Sequence, residues 1–180
     1  MKISGLWIAL FGIAALAAAV TIVSRAEAAD NAGIQKIVDL IKAGKDADAR
    51  AAAKKYAGSH DDLEELMTAF RPAKKKGMTG PGVEPSLIKF GRDTPSVAAL
   101  GKADYQDMGA IVVAVGMVSD SLPAPKSPKA GPADWSKWAK ELSENGAKLQ
   151  AAIKSKTPAD VKTFSSKINA TCNSCHTAFK

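Results

Sequence analysis

Cys172, Cys175 and His176, in the string Cys-Asn-Ser-Cys-His, are the residues of this 180-residue sequence whose types and spacing best suit chemistry. Two thiols three residues apart lie on one face of a helix, and an imidazole four residues after the first stands beside them. A C-x-x-C-H string is the attachment signal of c-type haem: the thiols add across the porphyrin vinyl groups, and the histidine is left beneath the iron as proximal ligand. Two other chemistries use C-x-x-C. A thioredoxin-like pair sits where a strand enters a helix, and the sequence has no strand–helix–strand pattern. Structural zinc wants four nitrogen or sulfur ligands, and the chain holds only these three residues and His60. Adjacent Cys175 and His176 are awkward partners on a tetrahedral ion. One covalent haem c is thus the leading expectation, with zinc and a simple dithiol as the alternatives. Four residues follow His176, so a sixth iron ligand is expected from upstream.

Helices must position these groups. Val161, Phe164, Ile168, Cys172, Cys175 and Phe179 repeat at three and four residues, the seam spacing of a helical bundle, so both cysteines fall at core-facing positions. Thr157-Pro158-Ala159-Asp160 supplies an N-cap, a proline at the first helical position and an early acid, which predicts a helix over 158–179. Asp134 opens another, over 133–155, with Trp135, Trp138, Leu142, Gly146, Leu149 and Ile153 in the same spacing. The proline-rich stretch 123–132 between this helix and the one before cannot be helix or sheet and reads as an exposed connector.

A wide apolar face (Tyr105, Met108, Ile111, Val112, Val115, Val118, Leu122) predicts a helix over 104–122. Gly109 and Gly116 on one side of it permit close approach by a second helix, the commoner reason for such glycines, or by a flat ligand. Residues 46–71 read as one broken helical arm: Gly58 interrupts it, Ser59 is expected to cap its second part, and Leu63, Leu66, Met67 and Phe70 form the apolar stripe. Residues 31–43 form a short amphipathic helix ending at Gly44. The stretch 73–101 reads as a long loop with one helical turn at 85–90, a length that suggests a cap or flap over the site. Its Lys74-Lys75-Lys76 run reads as a solvated loop.

At the N-terminus, an uncharged run from Gly5 to Val23 followed by Ala26-Glu27-Ala28 reads as a secretory signal, which leaves 29–180 as a single domain; an uncleaved anchor is the alternative, and only then is the membrane a partner. The expected location is periplasmic. Removing the charges in the leader takes the formal net charge from +7 to +6. Such a balance steers an acidic redox protein toward the surface. The lysines are scattered without aromatic interleaving, so nucleic acid is not an expected partner.

With the motif on the final helix, a tryptophan-containing helix before it and an all-helical pattern, the chain resembles the class II c-type cytochromes, the cytochrome c′ family. The family's terminal pattern C-x-x-C-H-x-x-[Phe/Tyr]-[Arg/Lys] is filled by Cys172, Cys175, His176, Phe179 and Lys180. The resemblance implies an all-α four-helix bundle with haem near one end, commonly as a homodimer. Here the four are 46–71, 104–122, 133–155 and 158–179, with an added N-terminal helix and a long loop insertion. It also implies a distal face lined from the first bundle helix, where Met67 is the best-placed ligand, ahead of His60 and Met78. Two functions follow. A filled sixth site suits single-electron transfer, and an open apolar one suits binding of nitric oxide or carbon monoxide. No enzymatic activity is expected, because a peroxidase needs a distal base and His60 is read as facing solvent.

Overall fold

The computed structural model describes residues 31–60 and 63–179; the leader reading of 1–28, and Lys180, lie outside them. Residues 31–42 form α1. There follow α2 (Asp46–Ala57), α3 (Leu63–Thr68), a 3-10 turn (Ala73–Lys75), α4 (Val83–Arg92), α5 (Val97–Leu100), α6 (Ala103–Gln106), α7 (Met108–Ser121), α8 (Pro132–Lys154) and α9 (Pro158–Phe179). The protein is an all-α helical bundle.

The centre of the bundle is α7, in which every residue from Met108 to Ser119 is buried. A helix apolar all round has no solvent side and must be surrounded. It packs most extensively on α8 and next on α2, while α9 lies between α8 and α4. The α7–α8 contact is made backbone to backbone. A methyl on Gly109 would lie 2.5 Å from the Gln150 nitrogen, one on Gly116 2.8 Å from the Ala139 carbonyl oxygen, and one on Gly146 2.9 Å from the Val113 nitrogen. The glycines on α7 therefore serve helix packing, with Gly146 answering from α8.

The helix expected over 104–122 is broken at Asp107. Gln150 of α8 occupies the break: its carbonyl accepts from Ala110 N–H at 3.0 Å and its amide donates to the Gln106 carbonyl at 2.7 Å. Both are backbone groups that a helix end leaves without an intrahelical partner. The arm at 46–71 breaks as expected, but Ser59 serves the helix before it, donating its hydroxyl to the carbonyls of Lys55 and Tyr56 at 3.3 and 3.0 Å. Thr157, expected to cap α9, donates to the Ala152 carbonyl at 3.2 Å and so ties the α8–α9 turn together.

The largest difference lies in 73–101. In place of a long loop with one turn, the stretch holds α4, ten residues long, with Val83, Ser86, Leu87 and Phe90 buried. It lies along α9 as a full layer of the bundle. The helix extends on both sides of the turn expected at 85–90, because Pro85 sits in the first turn, where a missing N–H is harmless. Gly91 faces Ser166 of α9, so its missing side chain allows the approach.

Candidate haem site on the last helix

The inward face of α9 changes character along its length. Val161, Ser165 and Ile168 are 0% exposed. One and two turns further on, in the same sector, Cys172 and Cys175 are half-buried and His176 is exposed. The seam spacing that turns the first half of α9 into the core thus continues through the motif, but protein no longer covers it.

Two elements flank this end. On one side is α4, running antiparallel to α9: the Ser166 hydroxyl donates to the Gly91 carbonyl at 3.0 Å, and at the other end of α4 the Glu84 carboxylate lies close enough to act on the Cys172 thiol. On the other side is α8, where Thr171 donates to Glu141 at 3.3 Å. Phe179 closes the end of the sector, edge-on to both Trp135 and Trp138 with ring centres 5.5 and 5.8 Å away. Trp135 is buried and its indole N–H donates to the Ser119 carbonyl at 2.8 Å, which fixes the ring that Phe179 meets.

Both cysteines are free thiols. Burial first, then the neighbouring Cys175 and the Glu84 carboxylate, push the Cys172 thiol up to about 11 against a backbone hydrogen bond that lowers it; burial also raises Cys175. Reactive dithiols need the opposite shift, toward thiolate. Zinc also fits poorly: among the described residues, no group of three or more histidine, cysteine and acidic side chains is gathered where it could hold a metal ion.

The upstream residues are less concentrated. Met67 sits on α3, half-buried against the same core cluster as Cys172 and Met78. The larger contacts of α3 are with α7, whereas the helix lying along α9 is α4, which contains neither methionine nor histidine. His60 is half-buried and stacked on Tyr56, ring centres 4.0 Å apart and planes within 5°, so it is less solvent-facing than its sequence context suggests. The 74–76 lysines are exposed, as expected.

The donor set and the uncovered sector fit a haem. Cys172 and Cys175 could hold its edge, His176 could reach its iron, and Phe179 would border it. The sequence missed Glu84, whose nearness to Cys172 depends on the register of α4; no motif marks it.

Fold and site together define a helical bundle protein with a thiol and imidazole site at one end of its last helix. Residues 129–180 match the family model described as Cytochrome C′. The match takes in the end of the connector, α8 and α9, and leaves the helices upstream outside it. No curated protein and no solved structure matches the chain.

Proposed function

We propose that this protein is an exported mono-haem c-type cytochrome that carries single electrons. The observation behind the reading is the inward face of α9, which stays in core register through Cys172, Cys175 and His176 while losing its protein cover. Cys172 and Cys175 would hold the haem as thioethers, each sulfur on one vinyl carbon and the thiol hydrogen on the other, and His176 would ligate its iron. When bound, the haem supplies one-electron exchange between ferric and ferrous iron. The uncovered bundle end would admit a partner to the haem edge, and α4 and α8 would flank the ring. An excess of basic residues steers an acidic redox protein toward the surface.

The second reading is gas binding, and α4 favours it. Val83, Leu87 and Phe90 give the helix beside Cys172 an apolar inner face with no nitrogen or sulfur ligand. If Met67 does not reach the iron, the sixth position stays open to nitric oxide or carbon monoxide.

Visible spectra of the matured protein decide between them. A low-spin ferrous spectrum that carbon monoxide leaves alone, and that becomes responsive in Met67→Ala, supports electron transfer with Met67 as distal ligand. A high-spin spectrum that shifts with carbon monoxide supports the gas reading. Protein without covalent haem would overturn both.

A further inference from the structure

The proline-rich connector before α8 does more than link two helices. Ser127 donates its hydroxyl to the Ala178 carbonyl and accepts from the Lys129 N–H at 3.0 Å, and the Lys129 ammonium donates to the Thr177 carbonyl at 3.3 Å. Thr177 and Ala178 immediately follow His176 and lie in the last turn of α9, where carbonyls have no intrahelical partner. Both ends of the connector are anchored. Leu122 is buried where α7 ends, and the Gly131 N–H is held by Asp134 at 3.0 Å where α8 begins. Pro123, Pro125, Pro128 and Pro132 limit the conformations available between those anchors.

We infer that residues 123–131 form a strap across the outer side of α9 that fixes the turn bearing His176, with Ser127 and Lys129 as positioning residues for the iron ligand. This rests on the haem reading of His176. The strap touches the opposite side of the helix from the motif: the groove beside it, about 440 Å³, is lined by Lys129, Trp138, Asn173, Ser174, Thr177 and Ala178, none of which is a haem-anchoring residue. Two effects follow from the geometry. Capping the carbonyls holds the helical turn and therefore the direction of the imidazole. The ammonium of Lys129, one residue from His176 through the Thr177 carbonyl, disfavours further positive charge on the iron and so raises its reduction potential.

The test uses matured full-length protein carrying Ser127→Ala with Lys129→Gln, and the single Lys129→Gln in case the double variant does not fold. Covalent haem content is checked first, by mass and by absorption. The expected result is retained haem, amide exchange about tenfold faster over 176–179, and a lower reduction potential. Ser127→Thr with Lys129→Arg restores both. Faster exchange with an unmoved potential would reduce the strap to a stabilising contact and overturn the inference, as would unchanged exchange. Failure of the haem reading itself looks different: the parent protein would carry no covalent haem.

Discussion

The Ser166 hydroxyl meets the Gly91 carbonyl at 3.0 Å, and this bond fixes the register in which α4 lies along α9. A methyl built on Gly91 would stand 3.2 Å from the Ser166 oxygen and 3.3 Å from its backbone, so α4 sits as near as a glycine permits. Seven residues back along α4, two helical turns, comes Glu84, and six residues on along α9 comes Cys172.

Gly91→Val should force the two helices apart. The expected loss is about 1–3 kcal/mol, the range for overpacking, measured by chemical denaturation. A faster reaction of Cys172 with a thiol reagent in the haem-free protein should accompany it, and equal rates would mean that α4 does not shield the thiol.

Gly116→Ala tests the other close pair. Its methyl would lie 2.8 Å from backbone atoms of Ala139 and Ser143, which a rotamer change cannot relieve. A loss of about 1–3 kcal/mol is expected. Gly101→Ala, whose added carbon makes only an ordinary 3.5 Å contact with the Ala98 carbonyl, is the control and should leave the midpoint nearly unchanged.

Gln150→Leu keeps the volume but removes both bonds that bridge the α6–α7 break. The buried Ala110 N–H and the Gln106 carbonyl lose their partner, at about 1–3 kcal/mol. Denaturant midpoints of parent and variant measure it, and hydrogen exchange should localise the loosening to the first turn of α7.

The pH dependence of the haem-free chain follows from Cys172. Its thiol ionises near 9 when unfolded and near 11 when folded, because burial disfavours the thiolate. Above pH 9 the unfolded chain holds fewer protons than the folded one, so stability falls with rising pH. The contribution is complete below about 9 and is lost as pH passes 11. Cys172→Ala should flatten the decline between pH 9 and 11 in thermal melts, and an unchanged slope would refute the assignment.

Much of this was legible in the chain. Local signals placed α8 and α9 to within a residue at either end, since caps, prolines and seam spacing act over a few neighbouring positions. The grouping of Cys172, Cys175, His176 and Phe179 on one helical face follows from their spacing alone, as does the all-helical class. Gly109 and Gly116 announced a close contact without naming the other side.

What only the tertiary structure decided depends on residues far apart in sequence. Gly91, one residue past the turn expected at 85–90, is a contact with Ser166, 75 residues on. Nothing in the sequence singles out Gln150, which bridges the break at Asp107 from another helix. The connector at 123–132 reads as an exposed link in the sequence, because nothing local shows Ser127 reaching Ala178. Helices are determined by interactions within a turn or two, whereas the face each presents, and what covers it, is set by partners that periodicity cannot identify.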